Sequence, residues 1–307
     1  MKVLEYMKGL ERFAPRSSGS EERARAYIAE KLTRMGVDFN TQKFRNWLPE
    51  FRNFYLKADG RNIECMPTAF RSGSIEGKNL ISSMAVSGRY YEEQNINFNP
   101  YSNCLSLATF YRAPSVAIKR SDVRTVLEAE DVEGKVDVIK RRHDCANLIV
   151  GNRKRPKNII IAHYDSVLSG ALDNASGTAM LLELAAQDAG RENMLVFSGC
   201  EELSFDEPIY WGRGYRIFES GFHKEMISAK QIIVVDMVGS SAPGIVRDNR
   251  TKLAAFPVKD SKLFRKAVIV SVKGKEWMGF YHSAEDRYTN IKERFLAESL
   301  DFVKRLI

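Results

Sequence analysis

Three apolar runs organise the second half of the chain: Ile159-Ile160-Ile161, Met194-Leu195-Val196-Phe197 and Ile232-Ile233-Val234-Val235. None alternates with polar residues, so each predicts a strand buried on both faces, as in a parallel sheet. Helical spacing lies between and after them. Met180, Leu181, Leu184 and Ala185 recur after Asp173 and stop at Gly190, and a last helix carries Phe295, Leu296, Leu300 and Val303. Strands alternating with helices from Ala146 onward predict an α/β fold: a mostly parallel central sheet with helices on both faces.

The N-terminal pattern is a helix packed on a core. Ser18 and Glu21 have capping-box spacing, Ala24, Ile28, Leu32 and Met35 share one face, and Gly36 supplies the stop. An extended segment follows over 37–44. The texture changes between roughly 50 and 140, where short strands (62–66, 78–81, 114–118, 134–139) alternate with turns and a polar, aromatic stretch (90–101). A short helix opening at Ser121 points Val123 and Leu127 inward. This predicts a small β-rich domain over 51–140 inserted between 1–50 and 141–307, with no ligand cluster of its own. A chain of 307 residues accommodates two such domains. The basic run 153–157, between Leu148-Ile149-Val150 and Ile159-Ile160-Ile161, reads as the solvated turn of a hairpin.

Composition narrows the function classes. The net charge of +8 is spread along the chain rather than gathered into a patch, which argues against a nucleic-acid partner. No apolar stretch approaches the ~20 residues needed to span a bilayer. The charged start Lys2-Val3-Leu4-Glu5 lacks a signal-peptide core, so no membrane association and a cytoplasmic location are expected. Cys65, Cys104, Cys145 and Cys200 lie far apart with no Cys-x-x-Cys pair, and they fit reduced, mostly buried thiols better than a disulfide framework or a thiolate zinc site. Cys200 stands out because it immediately precedes Glu201.

The chemistry sits where the apolar runs end. His163-Tyr164-Asp165 follows the first, Glu201-Glu202 the second, Asp236 the third, and Asp173-Asn174 and Tyr281-His282 lie in loops. Ligands of open α/β sheets bind at the carboxyl ends of such strands. Asp165, two residues beyond His163, is placed to fix the tautomer and orientation of a ligand histidine. Two adjacent carboxylates are costly to bury without a cation; one can bind metal while the other acts as a base. Asp236, entering from four branched residues, needs a positive partner. His143 and His223 have no acidic cluster around them and read as surface residues. Two imidazoles and several carboxylates suit zinc, with cobalt or manganese possible, and one bridging carboxylate would make a two-metal hydrolytic site.

The ordered set His163-Tyr-Asp-Ser, Asp173-Asn-Ala-Ser-Gly, Glu201-Glu202, Asp236 and Tyr281-His282-Ser-x-x-Asp286 resembles the co-catalytic zinc aminopeptidase family, which also holds glutamate carboxypeptidase and glutaminyl cyclase. Pro15-Arg16-x-x-Gly19-Ser20 and Asn147-Leu148-Ile149-Val150 match the same family. Residues 51–140 resemble, more distantly, the protease-associated domain inserted at this place. The resemblance implies that Asp173 bridges two zinc ions, with Glu202 and His282 completing one and His163 and Asp236 the other. It implies Glu201 as general base, Asp165 as the residue orienting His163, and N-terminal residues of peptides as substrate.

Three departures touch the substrate walls rather than the ligand set. Residues 203–208 lengthen the turn after Glu202, and Gly212-Arg213 replaces the family's Gly-Ser. The stretch from Asp236 to His282 is short, so a pocket wall is absent or comes from a neighbouring subunit, which makes a homo-oligomer possible. The inserted domain is degenerate. Among Tyr210, Trp211, Arg213 and Tyr215, packing is a better expectation than lining a pocket. A glutaminyl-peptide cyclase on the same fold is the nearest alternative function, and a non-catalytic binding protein is the third.

Overall fold

The computed structural model describes residues 2–84, 88 and 91–307, so the start of the polar stretch 90–101, at Tyr90, lies outside the described residues. The chain divides into two compact units. The larger holds Met1–Asn46, His143–Lys275 and Asp286–Ile307; the smaller holds Trp47–Arg142 and Glu276–Glu285.

The larger unit is built on four parallel strands in the order Ala267–Val272, Gln231–Val235, Asn158–His163 and Met194–Ser198. Antiparallel neighbours extend it into a mixed sheet: Pro243–Val246 beside Ala267–Val272, and the end of Val132–Gly151 beside Met194–Ser198. All six residues of Asn158–His163 are buried, as a strand covered on both faces requires. One face carries Ile149, Ile159, Ile161, Val196, Ile232, Val234 and Ile269 under Tyr215, Phe218 and Met226 of the helix Arg213–Ser228. Their strand neighbours Ile160, Leu195 and Ile233 point the other way, where the helix Ser176–Ala186 packs. That helix is buried almost all round because Val3–Glu11, Ser18–Arg34 and Glu293–Leu306 pack around it. Each buried aliphatic side chain contributes about 1.5–3 kcal/mol.

Several expectations change. The first helix, Val3–Glu11, has a clear stripe of Val3, Tyr6, Met7 and Leu10 that the sequence reading passed over. The helix Ser18–Arg34 follows an N-cap at Ser17 that makes no side-chain cap bond, and Glu21 is buried among thiols instead of closing a capping box. Ala24, Ile28 and Leu32 do form its buried face, and Gly36 ends it with φ of 70°. Residues 153–155 are exposed, but no hairpin forms: Met194–Ser198 lies between Val132–Gly151 and Asn158–His163 and pairs with both. A strand that is apolar on both faces takes partners on both edges, and the loop length alone did not say which.

The smaller unit has its own sheet, ordered Cys65–Pro67, Ser115–Ile118, Asn95–Phe98 and Leu80–Ser82. Its core gathers Leu56, Ile75, Ile96, Val116, Ile118, Val126 and Val136. The helix Val123–Glu128 turns Val126 inward and leaves Leu127 exposed at 55%, reversing the expected inward Leu127. With Val123 already on the core, the residue three positions on faces the same side.

Candidate metal centre

His163 is the last residue of its strand and is 1% exposed. Its Nε2 lies 3.1 Å from Asp173 and 3.4 Å from Asp236. Its Nδ1 faces the Asp165 carboxylate at 3.5 Å. The donor atoms of His163, Asp173 and Asp236 all lie within 4.8 Å of one another, and the Asp173 and Glu202 carboxylates approach within the same limit. Asp173 is thus shared between the two halves of the cluster. Asp236 leaves the strand Gln231–Val235 with its N–H bonded to the Val270 carbonyl at 3.0 Å.

The loops are held by side chains that also serve the site. Asp165 accepts the backbone N–H of Glu201 at 3.0 Å and of Glu202 at 2.9 Å, so the carboxylate that faces His163 also fixes the backbone of the carboxylate pair. Asp286 accepts the N–H groups of Leu172 at 2.8 Å and Asp173 at 3.1 Å. Asn174 donates to the Val235 carbonyl at 2.8 Å and accepts from the Gly177 N–H at 2.9 Å, tying the Asp173 loop to the strand that carries Asp236. Gly170 turns the chain into this loop at φ of 61°, where a Cβ would collide with the Asp173 carbonyl and the Ser166 side chain.

Arg16 is fully buried beneath these loops. Its guanidinium donates to the carbonyls of Tyr164 at 2.6 Å, Ser169 at 3.0 Å and Gly170 at 2.6 Å. Burial lowers its pKa, while Asp286, Asp165, Glu202 and Asp173 act to raise it. The sequence reading quoted Pro15-Arg16 and Asp286 only as parts of motifs and gave neither a role. A buried arginine needs carbonyl or carboxylate partners, but those partners lie about 150 residues away and spacing cannot identify them.

The electrostatics call for a cation. Burial works against a charged His163 imidazole, yet the Tyr215 oxygen and the carboxylates of Asp165, Asp173 and Asp236 hold its pKa well above the ordinary value. Glu201, 7% exposed, is pushed well up by burial, with His163 opposing and Glu202, Asp165 and Asp236 adding to the rise. Burial raises Asp286 to about 7 against the two N–H bonds it accepts. Carboxylates crowded this closely around one nitrogen need positive charge among them, and a nitrogen–oxygen donor set fits zinc, cobalt or manganese.

His282 belongs to the smaller unit. Its ring stacks on Tyr281 with centroids 3.9 Å apart, and its Nδ1 donates to the Leu107 carbonyl at 3.2 Å. That bond selects the tautomer whose Nε2 carries the lone pair, the form a metal ligand uses. Of the other histidines, His223 pairs with Asp260 at 2.9 Å on the surface and His143 is half-buried. Tyr215 is fully buried against Phe256, a packing role. Arg213 and Arg216 both bind Asp206, at 2.6 and 2.8 Å, and brace the lengthened turn after Glu202.

Residues 147–267 match the model of peptidase family M28. Aminopeptidase YwaD of Bacillus subtilis is 24% identical over 284 residues; the match covers 75% of this chain and 60% of that protein, so the chain spans less than two thirds of its curated relative. Among solved structures, a zinc aminopeptidase from Bacillus subtilis superposes with a TM-score of 0.71 at 18% identity, covering 98% of this chain and 92% of the other. An aminopeptidase from Aneurinibacillus sp. strain AM-1 gives 0.63 at 19% identity, covering 98% and 91%. The glutaminyl cyclase of Tannerella forsythia gives 0.56 at 14%, covering 100% and 97%. The segment that matches peptidase family M28 runs through His163, Asp173, Glu201, Glu202 and Asp236.

Proposed function

We propose that the protein is a metal-dependent aminopeptidase that removes N-terminal residues from peptides. The observation that carries this reading is the position of Asp173, whose carboxylate is near both the His163–Asp236 pair and Glu202. In this reading Asp173, His163 and Asp236 would hold one cation, and Asp173, Glu202 and His282 would hold the other. Two zinc ions fit the donor set, with cobalt or manganese as substitutes. When bound, they supply Lewis acidity that polarises the scissile carbonyl and eases ionisation of the attacking water.

The chain's own groups do the rest. In this reading Glu201 takes the proton of the attacking water and passes it to the departing amine. Asp165 holds the imidazole and the Glu201–Glu202 backbone in one arrangement, and Arg16 and Asp286 hold the loops at its edge. Residues 51–140 are, in this reading, an insertion within the peptidase domain. Four free cysteines support a reducing, cytoplasmic setting.

Replacing Glu201 by Gln tests the assignment. Metal content should stay at the wild-type level while kcat for aminoacyl-anilides falls by about 10²–10⁴-fold; undiminished turnover would refute it. The longer turn over 203–208 favours a second reading, cyclisation of N-terminal glutamine. Assaying glutaminyl-peptide cyclisation beside anilide cleavage separates the two.

A further inference from the structure

A second buried cluster lies next to the first and plays no part in the proposed hydrolysis. The ladder between Val132–Gly151 and Met194–Ser198 pairs Met194 with Gly151 and Phe197 with Leu148. Continued beyond the last pair, that register sets Cys200 opposite Cys145. Both thiols are 2% exposed and turn toward a carboxylate from a third segment, Glu21 of the helix Ser18–Arg34, itself 2% exposed. Cys200 Sγ lies 3.2 Å and Cys145 Sγ 3.8 Å from the same oxygen, Glu21 Oε2. The three donor atoms lie within 4.8 Å of one another.

These are thiol-to-carboxylate hydrogen bonds, and their spacings also come close to those of a coordination polyhedron. Zinc bound at ~2.3 Å to sulfur and ~2.1 Å to oxygen gives tetrahedral S···O edges of about 3.6 Å. The observed distances fall on either side of that value. The Tyr164 hydroxyl shares its one proton between the Ala146 carbonyl at 2.7 Å and the other Glu21 oxygen at 3.3 Å, so the carboxylate is aimed at the thiols by a fixed neighbour. Gly199, beside the cluster, has no room for a side chain, since a Cβ would meet Glu21 and Tyr164. The basic side chain acting on Glu21 is Arg25, which pairs with Glu22 at 3.5 Å.

We infer that Glu21, Cys145 and Cys200 form a binding site for one thiophilic divalent cation of the zinc class, separate from the centre at Asp173. Binding releases the proton of each thiol to solvent, and of the Glu21 carboxyl where it holds one. Two thiolates and one carboxylate then hold the ion, with the second Glu21 oxygen or a water in the fourth position. The role is structural. The ion ties the helix Ser18–Arg34 and a strand end to the turn that presents Glu201, where Cys200 takes a φ of 54°. The sequence reading set aside a thiolate zinc site because the cysteines are far apart; the antiparallel register removes that separation.

The test is cobalt substitution of the full chain. The Asp173 centre offers only nitrogen and oxygen donors, so a thiolate-to-cobalt charge-transfer band in the near ultraviolet reports the sulfur site alone. The wild type should develop the band, saturating at one ion per chain. His163→Ala, which takes apart the proposed hydrolytic centre, should keep it at full intensity, and Cys145→Ser should reduce it to background. Wild-type protein that binds cobalt without the band overturns the inference, whether or not the variants fold. So does an intact mass lower by two hydrogens with both thiols blocked, which would make the pair a disulfide. Neither result depends on peptidase activity.

Discussion

The two buried clusters flank the Cys200–Glu201 peptide and are built from different chemistry. At His163, Asp173 and Asp236 the donors are nitrogen and oxygen, and each loop that carries them is fixed by a second carboxylate or amide: Asp165, Asp286 or Asn174. At Glu21, Cys145 and Cys200 the donors are one oxygen and two sulfurs, and a tyrosine hydroxyl is the main support. The first cluster is 14% open at Asp236, whereas every member of the second is closed to solvent. A hard, braced and partly open centre suits exchange of substrate and water; a soft, closed one suits holding the fold.

Variants can break this contrast. Asp173→Ala removes the carboxylate shared by both halves of the open centre and should have the largest effect, taking kcat/KM below about 10⁻⁴ of wild type together with bound metal. Measured metal content alongside activity checks it. Asp165→Asn keeps the volume but weakens the hold on His163 and on the 201–202 backbone, and should cost about 10–100-fold in activity or metal affinity. Cys145→Ser alters only the closed cluster and should leave kcat within about two-fold under conditions where the protein is folded, as expected for a side chain outside the reacting groups. A loss as large as that of Asp165→Asn would mean the clusters are not separable.

The smallest effect is on stability against pH. Burial, with Asp165 adding, raises Glu21 to about 8 from an ordinary value of 4.5. Between those values the folded chain holds a proton that the unfolded chain has lost, so without metal stability falls as pH rises through the window. Glu21→Gln has no such group. In the presence of chelator its Tm relative to wild type should therefore climb from pH 5 to about 8 and level off beyond that. A difference that stays flat with pH would show that Glu21 is not held protonated.

Much of the open centre was legible because its candidate residues follow apolar runs that read as buried parallel strands, and such strands end where ligands bind. His163, Glu201, Glu202 and Asp236 could be picked out one strand at a time. The supports were harder to see. Arg16 reaches carbonyls in the 164–170 loop, and Asp286 reaches backbone N–H groups at 172–173; neither contact has a spacing or composition cue. Strand order was equally hidden, since an apolar strand such as Asn158–His163 looks the same whichever partner it takes, and the expectation of a hairpin that does not form follows from that. The closed cluster depends on the register between Val132–Gly151 and Met194–Ser198, which exists only once those strands pair.

The central claim is that bound cations at the Asp173 centre make the chain a peptidase. Its most direct test is aminoacyl-anilide hydrolysis by protein stripped of metal and then supplied with zinc in steps. The account predicts no hydrolysis by the stripped protein and recovery as zinc is restored. Hydrolysis at the full rate by metal-free protein would contradict it.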